Sequence, residues 1–260
     1  MSTTGLGFSG EVADYYAKFR PGYPAPVIGA LVQELGLTGK HRVLDLGCGT
    51  GQLAVPLSAH VGSVVAVDPE PDMLAHGPKL PNVEWRLGSD ADVPGLGRFD
   101  AIVIGQALHW MDHEKLFHDA DTAKFAIIAN GTPLWRQHPA IGEVLEEWFG
   151  RPVTAGCGTD AGARRRYAAA LEAAGYTPHE WTIGHTREHT VEELAGSLFS
   201  AMSPETLPSP QDRPLFRERL RRALRADTYV EPITVAVISA EVINTVRASR
   251  PARRARPGRP

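Results

Sequence analysis

Cysteine is scarce in this 260-residue chain: Cys48 and Cys157 are too few for a disulfide framework. No apolar run approaches the roughly 18–20 residues that span a bilayer. Met1–Gly10 has no apolar centre of the kind a secretory signal needs. A soluble cytoplasmic protein without a membrane partner is the expectation. His, Cys and acids show no metal-ligand spacing, and His113 and His118, five apart, share no helix face. No metal is therefore expected. A Walker phosphate loop and a Gly-x-Ser-x-Gly nucleophile elbow are both missing, which sets aside nucleotide hydrolysis and the serine-hydrolase chemistry of that motif. Basic charge is short as well. The net charge is −3, and the last fourteen residues hold six arginines and no acid, which leaves −9 for the rest. An acidic body argues against nucleic acid as a general partner. There are no internal repeats.

What is present is apolar material, 43% of the chain, enough for one large α/β domain. The abundance of Ala, Arg, Gly and Pro fits a GC-rich bacterial genome. The organising stretch is Val43-Leu44-Asp45-Leu46-Gly47-Cys48-Gly49-Thr50-Gly51-Gln52. It reads as a buried strand, an acid, three glycines at alternating positions and the start of a helix. Such a βα turn brings bare backbone up to a ligand at a helix N-terminus. The dinucleotide fingerprint is G-x-G-x-x-G; here the third Gly comes one residue early. An acid two residues before the first Gly would repel a pyrophosphate and suits an ammonium or sulfonium.

With the string Asp45-Leu46-Gly47-Cys48-Gly49-Thr50-Gly51, the chain resembles the class I S-adenosylmethionine-dependent methyltransferases. More narrowly, it resembles their small-molecule, type 11-like branch. The resemblance is specific over about residues 8–135 and weaker beyond. It implies a Rossmann-like, doubly wound, seven-stranded α/β sheet, mostly parallel with an antiparallel last strand. It also implies S-adenosylmethionine as cofactor, and helical lid elements at the N-terminus and after strand 5. Asp14-Tyr15-Tyr16-Ala17-Lys18-Phe19-Arg20-Pro21-Gly22-Tyr23-Pro24 looks like the branch's lid segment, from which Tyr16 and Arg20 reach the cofactor, Arg20 through its carboxylate. Asp45, Gly47, Cys48, Gly49, Thr50 and Gly51 form the cofactor turn. Asp68 ends the second strand about twenty residues after the glycines and can accept two hydrogen bonds from vicinal ribose hydroxyls. A helix N-cap is the competing use of this segment. Pro69 and Met73 follow, Met73 lining the adenine. After strand 3, Ser89, Asp90 and Ala91 are expected at the adenine, Asp90 on its exocyclic amine; Asp92 is the alternative by register.

Gly105-Gln106-Ala107-Leu108-His109-Trp110 follows strand 4, where ligands of open α/β sheets bind. Gln106, Ala107 and His109 are expected at the cofactor. His109 is also the candidate base, since imidazole titrates near neutrality; a structural His in the loop is the other reading. Trp110, Trp135 and His138 are the candidate substrate pocket, with Trp148 beside them, although aromatics at such spacings also build cores. The residues expected as strands are 42–46, 63–67, 83–87, 99–104, 125–129, 178–185 and 231–239, and helices are expected over 11–19, 24–35, 52–60, 112–121, 140–149, 161–174, 190–200 and 212–226. Pro56 should kink the third of these helices. Relatives carry a Leu-Leu-x-Pro-Gly-Gly turn before strand 5. Ala120-Asp121-Thr122-Ala123-Lys124 lacks it, so the helix is truncated or the connection strained.

Residues 1–246 read as one domain, with 1–24 a lid, 130–176 substrate-side helices and 247–260 a disordered Arg/Pro tail. Arg164, Arg165 and Arg166 read as a solvated face with a partner in Asp160. The function implied is methyl transfer to O, N or C of a small-molecule acceptor, such as a secondary metabolite, by a monomer or homodimer. Two alternatives stay open. One is a protein of this fold that binds the cofactor without methylating, for a rearrangement or cyclisation. The other is a nucleic-acid or protein methyltransferase; it lacks the Asn/Asp-Pro-Pro-aromatic motif after strand 4, though the Arg tail could tether a polyanion.

Overall fold

β-branched runs bounded by glycine, proline and acids form the strands of the computed structural model, which describes residues 7–132, 134–152 and 160–243. Cys157-Gly158-Thr159 and the tail 247–260 lie outside the described residues. The strands are β1 (Arg42–Leu46), β2 (Ser63–Asp68), β3 (Val83–Leu87), β4 (Ala101–Gly105), β5 (Lys124–Asn130), β6 (Tyr176–Thr190) and β7 (Thr228–Val242). They make one seven-stranded sheet in the order β3-β2-β1-β4-β5-β7-β6. The first five are parallel, and β7 is antiparallel to both of its neighbours. This is the doubly wound, Rossmann-like α/β architecture.

The central strands bury side chains on both faces, as parallel strands covered by helices must. Leu44, Ile102 and Phe125 face α5 (His113–Asp119) and α8 (Ala161–Ala173). Val43, Val103 and Ala126 face α2 (Ala25–Glu34) and α3 (Ala54–Ser58). The short α4 (Pro71–Ala75) follows β2.

A third core sits beyond the sheet. It joins α7 (Pro139–Phe149), α9 (Val191–Phe199) and α10 (Arg213–Leu224) through Val144, Leu194, Phe199, Phe216 and Leu220. The four-residue α6 (Leu134–Gln137) leads into it. The N-terminal helix α1 (Glu11–Phe19) docks on this cap. Tyr15 meets Phe199 edge-on with ring centroids 5.2 Å apart. Arg213 donates to both carboxylate oxygens of Glu11, at 2.9 and 3.2 Å. The same end of α1 is also tied to α4, where Gly10 N–H, at the helix N-cap, donates to Asp72 Oδ2 at 2.7 Å. No described helix is long and apolar enough to cross a membrane.

Several expectations are corrected. The helix expected over 52–60 shrinks to α3, because residues 51–53 remain in the turn. Pro56 therefore falls in its first turn, where a proline is tolerated. α5 has seven residues, so the helix before β5 is truncated. The connection after it carries no residue with positive φ and adds a bridge from Phe99 to Thr122. Ala163, Tyr167 and Leu171, one face of α8, pack onto the sheet. Its Arg164 pairs with Glu180, and Asp160 caps α8 by accepting from Gly162 and Ala163 N–H while the charge of Arg166 acts on it. β6 and β7 also run far past their expected limits. Val235 pairs with Asn130 at the end of β5, so residues 228–234 and their partners on β6 overhang the sheet on its carboxyl side.

Candidate active site

The β1–α3 turn is built from backbone. Gly47 has φ +71°, and a Cβ there would stand 2.4 Å from the Ala107 Cβ. Gly49 has φ +56°, and a Cβ there would sit 3.4 Å from both Tyr16 and Met73, filling the space between them. Only glycine leaves that space open and takes this φ without strain. Gly47 and Cys48 N–H both donate to Val67 O, at 2.8 and 3.0 Å.

Two carboxylates brace the turn. Asp45 Oδ2 accepts from Ala54 N–H at 2.8 Å, and the residue is 1% exposed. Burial, with the charge of Asp68 adding, pushes its carboxyl up to about 7 against the helix N–H that opposes the shift. Asp68 Oδ2 accepts from Gly49 N–H at 2.8 Å and Oδ1 from Glu70 N–H at 3.0 Å. Burial raises its pKa too. Asp68 thus ties the glycine turn to the end of β2 and still faces the cleft; a carboxylate has about four lone-pair sites, so two remain for a ligand. The N-cap use is corrected: Glu70, not Asp68, stands at the α4 N-cap, and it makes no side-chain cap.

A cleft of about 360 Å³ opens over this turn. Of the expected cofactor residues, Tyr16, Gly47, Gly49, Asp68, Pro69, Met73, Ser89, Asp90, Gln106 and Ala107 line it. Arg20, Asp45 and Cys48 line a narrow side pocket that also includes Tyr16 and Gln106. Thr50, Gly51 and Ala91 line neither: a Cβ on Gly51 would point at Trp85 and Val55, and Ala91 donates its N–H to Ser89 Oγ. Asp92 turns back to cap Ser89 N–H at 2.8 Å, whereas Asp90 lines the cleft and anchors Asp112 N–H at 3.0 Å.

Phe8, Glu70 and Met111 also line the cleft and were not anticipated. Glu70 had a readable signal, since it lies two residues beyond Asp68 at the same strand end.

A second cavity of about 270 Å³ adjoins the first and shares Phe8, Tyr16, Gln106 and Trp110 with it. Gln106 is held with φ +58°, a conformation uncommon for a side chain of that size and frequent at functional sites. Its N–H is bonded to Ile128 O at 2.9 Å. His109 lines this second cavity and not the first, with its pKa lowered by burial. Trp110 is 53% exposed at the mouth. Trp135 lines the far wall. His138 does not: its ring meets Tyr229 edge-on at 5.3 Å. Trp148 is in the cap core, edge-on to Phe216 at 5.1 Å. The sheet overhang supplies Glu231, Ile233 and Thr234, and α9 supplies Ser197 and Leu198. None of these five was anticipated, because cap helix and overhang meet only in the folded chain.

Comparison with known proteins accords with this geometry. Residues 43–123 match the family described as a methyltransferase domain. Over that stretch, about a third of its length, the chain is similar to the methyltransferases. An uncharacterized methyltransferase of Mycobacterium tuberculosis is 38% identical over 105 residues, 40% of this chain and 42% of that protein. The chain thus spans about two fifths of the length of the mycobacterial relatives it matches. Among solved structures, a candidate type II methyltransferase of Anaeromyxobacter dehalogenans superposes with TM-score 0.57 at 18% identity, over 86% of this chain and 98% of that one. The YcgJ protein of Bacillus subtilis gives 0.52 at 15%, over 84% and 99%. At these identities the structures speak to the fold. The methyltransferase match ends at 123, so within the second cavity it takes in Gln106, His109 and Trp110 but not the wall drawn from residues beyond 129.

Proposed function

We propose that this protein uses S-adenosylmethionine to methylate a small-molecule acceptor. The observation that carries the reading is the junction of the two cavities at Tyr16, Gln106 and Trp110. One cavity has the donor set for a cationic nucleoside amino acid, and the other opens on a mixed polar and aromatic wall. The bare turn at Gly49 and two desolvated carboxylates fit such a ligand.

The cofactor supplies an activated methyl on a sulfonium. Asp68 and Glu70 offer acceptors to the ribose, Ser89, Asp90 and Met73 bound the adenine, and Arg20 and Asp45 face the carboxylate and ammonium. Phe8 and Tyr16 close the cleft from the lid side, excluding water. Positioning of this kind supplies roughly 7–11 kcal/mol in well-oriented reactions. His109, kept neutral by burial, takes the proton of an O–H or N–H nucleophile in the second cavity, a contribution of about 10²–10⁴-fold.

Calorimetry with S-adenosylhomocysteine tests the donor site. Micromolar binding is expected, with losses of at least about tenfold in Asp45→Ala and Asp68→Ala; unchanged affinity in both refutes the assignment. Acceptor-dependent release of demethylated cofactor then separates methyl transfer from mere binding. A His109→Ala variant with full turnover removes the base.

A further inference from the structure

Glu231 is a carboxylate in the wall of the second cavity that cofactor binding does not use. It sits on the β7 overhang, diagonal to His189 on β6, since His189 pairs with Tyr229. The His189 ring is 1% exposed, and its Nε2 is 2.8 Å from Glu231 Oε2. The other ring nitrogen is buried with no partner among the described residues. His189 is therefore committed to holding Glu231, and the remaining Glu231 oxygen is left to the cavity. Apolar walls flank it: Trp110, Trp135, Leu198 and Ile233. The Trp135 indole N–H is itself buried without a partner among the described residues. Arg20 is the cation lining this cavity, and it also lines the side pocket assigned to the cofactor carboxylate. Arg187, opposite Glu231 in the β6–β7 register, does not line the cavity, so with Arg20 engaged the charge facing the acceptor is negative.

We propose that Glu231, positioned by His189, selects an acceptor with a flat apolar body and a protonated amine, the ammonium pairing with Glu231 and the ring lying against the indoles. An ammonium has no lone pair, so the methylated atom is another one on the same molecule. This rests on the assignment of the first cavity to the cofactor and specifies the acceptor class of the second.

The test is calorimetry on the full chain with tryptamine and indole-3-propionate, which share a ring and spacer and differ in charge, with and without saturating S-adenosylhomocysteine. The expected result is binding of tryptamine at least about tenfold tighter. Glu231→Gln should bring the ratio near one with S-adenosylhomocysteine affinity unchanged. His189→Leu should lower the ratio, and His189→Gln, which keeps an N–H for Glu231, should restore it. Preference for the propionate, binding of neither probe, or a ratio that survives Glu231→Gln overturns the proposal. Preserved tryptamine preference without S-adenosylhomocysteine binding overturns the cofactor reading instead.

Discussion

Asp45 illustrates how one residue serves the turn at a cost to the empty protein. Its carboxyl is pushed from 3.8 up to about 7 by burial, so the folded state holds its proton more tightly than the unfolded chain does. The sign follows from linkage: this contribution is fully present below pH ~4 and is lost as pH rises to about 7. Asp45→Asn keeps an acceptor for Ala54 N–H and escapes the loss. Its stability relative to the parent should climb between pH 4 and 7 and plateau at about 2 kcal/mol or more above. Thermal melts at several pH values check this; a difference independent of pH would disprove it. Gln106 tells a similar story in backbone terms. Its left-handed conformation suits Gly, so Gln106→Gly should leave stability within about 1 kcal/mol. A β-branched Gln106→Val should cost at least ~2 kcal/mol by denaturant unfolding.

At the scale of elements, the contact that matters most for access is α1 on α9. Gly196 lies inside α9, where glycine costs about 1 kcal/mol relative to alanine. Yet a Cβ there would stand 2.3 Å from the Phe19 ring. The helix gives up propensity to seat the lid. Gly196→Ala should therefore destabilise by about 1–3 kcal/mol through overpacking, despite the gain in propensity. It should also weaken S-adenosylhomocysteine binding, because Tyr16 and Arg20 ride on α1 and its C-cap. Limited proteolysis near residue 20 and calorimetry report the two effects; a more stable variant with unchanged affinity would mean that the glycine is not a seat.

This is also the scale at which legibility in the sequence divides. β1 to β5 fall within two residues of their expected limits, because buried parallel strands are written as uninterrupted apolar runs between turn residues. The overhang of β6 and β7 was not legible. Its inward positions include Arg187, His189 and Glu231, and polar residues at inward positions erase the alternation that marks a strand over a core. Likewise, the face Ala163, Tyr167, Leu171 predicts a helix with one apolar stripe, but not that the stripe meets the sheet instead of the cap.

Over the whole molecule, ligand binding couples to protonation and to stability. A cation arriving beside Asp45 and Asp68 favours their charged forms, so binding should release protons below about pH 7, and affinity should rise with pH up to that point and then level. Calorimetry in two buffers of different ionisation enthalpy measures the proton count; identical heats after buffer correction would show that these acids are not at the cation. Saturation at a hundred times Kd should add about 2.7 kcal/mol to the stability of the fold.

The residues alone determined the glycine turn of this protein. Its strand, acid and glycine turn are contiguous in the chain, and local backbone geometry is encoded locally. Only the tertiary structure decided the second cavity. Phe8, Gln106, Trp135, Leu198 and Glu231 come from five separate segments, and what brings them to one wall is the packing of a helical cap against the overhanging ends of two strands, an arrangement set by long-range burial that no single stretch of the chain records.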